Sequence, residues 1–243
     1  MIKYSIIITA YNYEKFIKEC IDTCLNQSKE ISFEVIVVND GSTDSTCDIL
    51  DQYDHELLSC YTIQNSGIEK ASNYGFKKAK GEYLIRVDAD DLLHKDFLYE
   101  MNRVVENEDA SFYYSNYYII DNESVITSTT ELPSFNEKEI MERGDFLATG
   151  SVYQKSVLEK VGFYNEDVKN SGLENYHLIV DLLSLGLKGK HVKSNLFFYR
   201  RHSLNLSELR REKIIQYGID LFKQKKLGIF KTNENHPYKL KLN

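Results

Sequence analysis

The sequence predicts an α/β fold, a mainly parallel sheet flanked by helices with a C-terminal helical extension. Two observations carry this reading. Short apolar runs alternate, through residues 1–100, with stretches whose apolar residues recur at helical spacing. Several of these runs end on polar or acidic residues, as strands do when their carboxyl ends face a ligand crevice. Strands alternating with helices form β-α-β units, and such units join parallel strands. A chain of 243 residues, 42% of them hydrophobic, can bury the core this sheet needs, as one large domain or one domain plus an appendage.

The elements follow in order. YSIIITA (4–10) reads as a buried strand and YEKFIKECIDTCLNQ (13–27) as an amphipathic helix. FEVIVVND (33–40) is a second buried strand, and GSTDSTCDILDQY opens a helix through a polar turn that Ser42 or Thr43 can cap. LLSCYTIQ (57–64) is a third strand, IEKASNYGFKKAK (68–80) a helix with Gly81 as its C-terminal cap, and EYLIRV (82–87) the fourth strand. Beyond residue 95 the pattern loosens. DFLYEMNRVVEN is a helix, SFYYSNYYIID an aromatic strand, and NESVITSTTELPSFNEKEI a polar excursion that can form a hairpin or a loop. KSVLEKVG and LENYHLIVDLLSLG read as helices, the second ending at Gly186, and KSNLFFYRRH as a strand.

Composition narrows the function classes. No run approaches the eighteen or so apolar residues of a membrane span. The opening MIKYSIIITAYN lacks the small-residue cleavage site of a secretory signal. A formal net charge of -7 argues against nucleic acid as a partner. Of the four cysteines, Cys20 and Cys24 lie on the apolar stripe of the first helix and read as buried thiols, in a reduced cytoplasm.

The stretch EYLIRVDADDLL carries the chemistry. A buried strand ends on Asp88, Asp90 and Asp91, which repel one another unless a hard cation sits among them. The alternative is a solvated turn in which Asp88 or Asp91 caps the next helix. In VVNDGSTD, Gly41 permits a tight turn and Asp40 ends the second strand, where it can accept from a base N–H.

Taken together, SIIITAYNYEKFIKECIDTCLNQ, FEVIVVNDGSTDST and IQNSGIEKASNYGFKKAKGEYLIRVDADD resemble the family-2 glycosyltransferases, which have the GT-A (Rossmann-like) fold. The likeness is strong over residues 3–100 and looser through VGFYNED, GLENYHLIVDLLSLG and FYRRHSLNLS. It implies a GT-A domain over 1–203, with a nucleotide-sugar-binding half (1–100) and an acceptor-side half (101–203), and a helical extension over 204–243.

By that resemblance Thr9, Ala10 and Tyr11 line the nucleotide site, and Asp40 accepts from uracil N3–H, with Asn39 where relatives often carry aspartate. Lys70 and Asn73 approach the base and phosphates, Lys70 supplying a charge that many relatives place at the position of Ser72. DAD becomes the DXD motif. Asp88 sits near the ribose and metal-bound water, Ala89 belongs to the nucleotide-sugar site, Asp90 coordinates Mn²⁺ or Mg²⁺, and His202 is either a further metal or phosphate contact or a polar surface residue. The family's base is often the aspartate of an ED pair, which here reads Glu174-Asn175. Glu174 is therefore the first candidate base, ahead of Asp167, Asp145 and Asp181; its alternative is a helix-capping role.

The implied activity is metal-dependent, inverting transfer of a hexosyl or N-acetylhexosaminyl unit from a UDP-sugar to a carbohydrate or lipid-linked saccharide acceptor, in bacterial surface polysaccharide or oligosaccharide synthesis. The implied location is the cytoplasm, at the inner face of the cell membrane. Lys223, Lys225 and Lys226 beside Phe222, Leu227, Ile229 and Phe230 can rest on an anionic membrane surface or pack on their own domain. Two rivals stand beside this reading. One is a relative that binds a nucleotide sugar without transferring it; the other is a sugar nucleotidyltransferase, disfavoured because TAYN is no glycine-rich triphosphate loop.

Overall fold

The computed structural model describes residues 1–145, 150–202, 205, 210–236 and 242. Four strands, β1 (Tyr4–Ala10), β2 (Phe33–Asn39), β3 (Leu58–Thr62) and β4 (Tyr83–Asp88), lie parallel in the order β3-β2-β1-β4. Helices α1 (Ile17–Leu25), α2 (Thr46–Leu50) and α3 (Ile68–Lys78) make the crossovers. β1 and β2 are buried along their whole length, which is why their centres read as near-continuous apolar runs rather than as alternation. Ile6, Ile7 and Ile8 are fully enclosed, and each such side chain contributes about 1.5–3 kcal/mol of burial.

Past residue 90 the sheet becomes mixed. After β5 (Leu92–Leu93) and α4 (Phe97–Val105) come β6 (Phe112–Ile120) and β7 (Ile126–Thr130), which form an antiparallel hairpin. Next are α5 (Glu137–Arg143), β8 (Val152–Gln154), α6 (Lys155–Val161), α7 (Glu174–Ser184), β9 (Gly189–Arg200) and α8 (Arg211–Lys225). β8 joins the two halves by running antiparallel to both β4 and β6. β9 runs parallel to β6 and antiparallel to β5, so the chain returns to the acidic turn after β4. Parallel pairing thus orders β3-β2-β1-β4 and recurs between β6 and β9, while β5, β7 and β8 pair antiparallel. The polar excursion resolves into the hairpin and α5, whose N-cap Asn136 accepts from Glu139 N.

Three local expectations change. Gly81 does not cap α3; Ala79 does, in extended conformation, and a Cβ on Gly81 would lie 2.6 Å from Ser5 N, so glycine is needed for close approach to β1. Ser42 and Thr43 do not cap α2. They hold Asn12, which sits at φ 62: Asn12 N donates to Ser42 Oγ, and Thr43 N donates to Asn12 Oδ1. Neither Asp88 nor Asp91 caps α4, whose N-cap is Asp96.

Cys20 and Cys24 are buried in α1 as the stripe requires. The boundary expected at 203/204 and much of SLNLS lie outside the described residues. α8 packs on α7 through Tyr176, Phe222 and Phe230, with Gly218 leaving room for the Phe230 ring. Of the tail residues, Phe222 and Phe230 are buried and Lys225 pairs with Asp181, while Ile229, Lys223 and Lys226 are exposed. No helix among the described residues is long and apolar enough to cross a membrane.

Candidate active site

The carboxyl ends of β1, β2 and β4 open into a cavity of about 620 Å³. Register places the ends together: Thr9 pairs with Asp88 across β1 and β4, and Ala10 with Asn39 across β1 and β2. Thr9, Ala10, Tyr11, Asp40, Asp88, Asp90, Glu174 and His202 all line the cavity. Ala89 is fully buried and does not line it.

Lys70 and Asn73 also lie elsewhere. Lys70 is exposed on α3. Asn73 is buried, donates to Tyr164 O and Glu166 Oε1 and accepts from Tyr164 N, so it clamps the loop before α7. A helix offers one face to the sheet and one to solvent; Lys70 falls on the wrong one. The positive charges that line the cavity are instead Lys15, Arg86, Lys169 and Arg210. Lys169 reaches Asn65 across the mouth, and Arg210 donates to Asn170 O.

Asp40 has a structural duty. Its Oδ1 accepts from Ser66 N at 2.7 Å and Ser66 Oγ at 3.1 Å, and its Oδ2 from Gly67 N at 2.8 Å. Asn39 does related work, accepting from Ser42 N. Glu69 holds the loop leading to α7, accepting from Asn170 N and Ser171 N; burial and the nearby Glu174 charge raise its pKa.

The acidic turn is tightly enclosed. Burial raises the pKa of Asp90, against the opposing hydrogen bond from His202, whose Nε2 lies 2.9 Å from Asp90 Oδ2. Burial and the charges of Asp90 and Asp88 push Asp91 higher still. Asp91 Oδ1 accepts from Arg200 N, and the Arg200 guanidinium donates to the carbonyls of Asp90, Asp121 and Asn122 and to Glu19. Among the described residues no group of three or more His, Cys, Asp or Glu side chains is arranged to hold a cation.

Arg86 is the feature least visible in the sequence. It is buried in β4, and its guanidinium meets Asp88, Glu174 Oε1 at 2.8 Å and Asn175 Oδ1 at 3.3 Å, over the Tyr164 ring. Burial works against its charge, but Asp88, Tyr164 and Glu174 outweigh that and hold its pKa well above the ordinary value. The one available signal was a charged residue inside an otherwise apolar strand. Asp145 lines the cavity too, whereas Asp167 and Asp181 do not.

The model of glycosyl transferase family 2 matches residues 5–162. The chain belongs to this family of glycosyltransferases. A glucosyltransferase of Escherichia coli named UDP-Glc:alpha-D-GlcNAc-diphosphoundecaprenol beta-1,3-glucosyltransferase WfaP is 30% identical to this family member over 215 residues, 87% of this chain and 82% of that one. Glycosyltransferase GlyA of Streptococcus pneumoniae is 26% identical over 95% of this chain, which spans only 30% of that protein's length. Among solved structures, S. aureus TarS 1-349 in complex with UDP-GlcNAc superposes with a TM-score of 0.75 at 22% identity, covering 94% of this chain and 67% of that one. The mannosyltransferase PcManGT from Pyrobaculum calidifontis, in complex with GDP-Man and Mn²⁺, gives 0.72 at 17% identity over 98% of this chain and 67% of that one. The family's GT-A fold is therefore the fold of this chain.

Proposed function

We propose that this family member transfers a hexosyl or N-acetylhexosaminyl unit from a UDP-sugar to a carbohydrate or lipid-linked saccharide acceptor, with inversion and with a divalent cation. The observation that carries the reading is the meeting of Tyr11, Asp40, Asp88 and Asp90 at adjacent strand ends in one cavity. WfaP, by its name, uses UDP-Glc and a diphosphoundecaprenol-linked acceptor, which supports both partners. Tyr11, 45% exposed at the cavity wall, offers a face for the base. Lys169 and Arg210 supply the positive charge a diphosphate needs.

The carboxylates of Asp88 and Asp90 are the oxygen donors a hard cation would meet here, Asp88 already paired with Arg86 and Asp90 with His202. Asp90 and Asp88 offer carboxylate oxygens beside the His202 imidazole, and Mg²⁺ or Mn²⁺ commonly takes one or two protein carboxylates and completes its shell from substrate phosphates and water. A divalent ion held by Asp88 and Asp90 would supply Lewis-acid neutralisation of the charge on the diphosphate leaving group. The acceptor oxygen bonds to the anomeric carbon as the bond to the diphosphate oxygen breaks and UDP leaves. Glu174 is the base in this reading: Arg86 fixes Oε1, and Oε2 takes no hydrogen bond among the described residues, so it can receive the acceptor's proton.

Residues 204–243 hold nine Lys or Arg against four Asp or Glu in a chain whose net charge is -7. With Ile219 and Ile229 exposed, this tail supports peripheral contact with an anionic membrane that carries the acceptor.

A panel of UDP-, GDP- and dTDP-sugars with Mn²⁺, read by calorimetry and by release of the nucleotide diphosphate, tests the reading. UDP should bind more tightly than GDP, EDTA should abolish the difference, and Glu174→Gln should lower turnover about 10²–10⁴-fold at nearly unchanged donor affinity. Equal GDP binding, or UDP binding indifferent to EDTA, overturns the donor or the metal assignment. Pyrophosphate release would turn the reading to a nucleotidyltransferase.

A further inference from the structure

The head of α7 reads Glu174-Asn175, and the surroundings fix what the Asn175 amide can do. Its Oδ1 lies 3.3 Å from Arg86 Nη1 and 2.6 Å from the Tyr164 hydroxyl. A guanidinium only donates, so the atom facing it must be the carbonyl oxygen; the reversed amide would set two donors against each other. Arg86 cannot swing away, because Asp88 and Glu174 hold its other N–H groups and burial encloses it. Tyr164 is likewise buried, its ring packed against Phe76. The amide is locked, and its two Nδ2 hydrogens have no protein acceptor among the described residues. Asn175 lines the cavity.

We propose that Asn175 is a specificity-determining donor, whose Nδ2 binds a hydroxyl oxygen of the transferred sugar. Tyr164 and Arg86 are positioning residues that set the amide's orientation. The inference rests on the UDP-sugar reading above and gives position 175 a binding role where the family often carries a base. A carboxylate there accepts only; the locked amide donates, so the site's hydrogen-bond polarity is inverted at this point. Asn175 has no useful basicity, and Glu174 beside it supplies the only carboxylate at the head of this helix.

The test measures, by calorimetry with Mn²⁺, how much more tightly each protein binds UDP-glucose, UDP-galactose and UDP-GlcNAc than UDP alone. In the parent at least one sugar should add to the affinity of UDP. Asn175→Ala should cut that sugar increment about 10-fold, the worth of one net hydrogen bond, while leaving the affinity for UDP itself within 2-fold. Tyr164→Phe, which keeps the ring and removes only the hydroxyl, should lose part of the increment. Asn175→Gln should fail to restore it, because the longer side chain cannot keep Oδ1 on Arg86. Should the parent bind no UDP, the donor reading falls and this proposal with it. If UDP binds and Asn175→Ala keeps the full sugar increment, or loses UDP and sugar affinity together, the proposal alone is overturned. Asn175→Asp that raises transfer would also overturn it, by showing a disabled base position.

Discussion

Replacing Asp40 should harm the protein before any nucleotide is added. Its carboxylate is 4% exposed and receives three hydrogen bonds from Ser66 and Gly67, the two residues that turn the chain into α3. Asp40→Ala strips two backbone N–H groups of their acceptor. Gly67 is buried and its N–H finds no replacement; Ser66 is half-buried and can turn to water. An orphaned buried donor costs about 1–3 kcal/mol, and hydrogen bonds to charged groups sit toward the top of their range. The expected loss is about 2–4 kcal/mol, or roughly 5–12 °C in Tm for a chain of this size. Asp40→Asn keeps one oxygen but turns an NH₂ toward one of the two donors, so it should lose about 1–2 kcal/mol. Equilibrium unfolding in urea measures both. An Asp40→Ala protein within 0.5 kcal/mol of the parent would refute the assignment of this carboxylate to the Ser66–Gly67 turn. Nucleotide affinity of the variant is then interpretable only on its folded fraction.

Four further outcomes follow from the structure. Asn73→Ala should cost about 1–3 kcal/mol in urea unfolding by freeing both backbone groups of Tyr164, and should leave UDP affinity unchanged, whereas Lys169→Ala should weaken UDP-sugar binding with little effect on stability. Gly75→Ala would place a methyl 2.5 Å from Ile7 Cγ2 and lift α3 off the sheet, costing about 1–3 kcal/mol; an unchanged urea midpoint would show that the helix yields freely. Burial and then Arg143 push the pKa of His236 down to about 4, so the unfolded chain takes up a proton first on acidification. Stability contributed by the neutral ring is present above about pH 6.5 and falls as pH drops toward 4, by about 2 kcal/mol between pH 7 and 5, and His236→Gln should flatten that slope.

What could be read in the sequence follows from how local each cause is. β1, β2 and β4 are enclosed on both faces, so their signal is a near-continuous apolar run, interrupted by Ser5, Glu34 and Arg86, that needs no knowledge of neighbours. β5 and β8 have two and three residues, too few to show any period, and they exist because β9 and β6 lie alongside. The change from parallel to mixed pairing after β4 could not be seen for the same reason: strand direction is set by partners far along the chain. That Tyr11, Asp40, Asp88 and Asp90 line one cavity was legible, because strand ends in a parallel sheet share one rim. Lys169 and Arg210 were not, since each belongs to a segment brought to that rim by tertiary packing. Lys70 stays outside the cavity because a helix turns only one face toward it, and a resemblance in sequence does not say which.

Arg200 gives the acidic turn a place in time as well as in space. The guanidinium that fastens Asp90, Asp121, Asn122 and Glu19 enters from the last residue of β9, more than a hundred residues after the turn it secures. During synthesis the first hundred residues can emerge with their parallel strands complete, yet their cluster of carboxylates must wait for the other half of the chain to supply its fastening. The half that carries Tyr11, Asp40, Asp88 and Asp90 is therefore unfinished on its own. A chain that has not yet reached residue 200 would present Asp90 and Asp91 as mutually repelling charges on an unsecured turn.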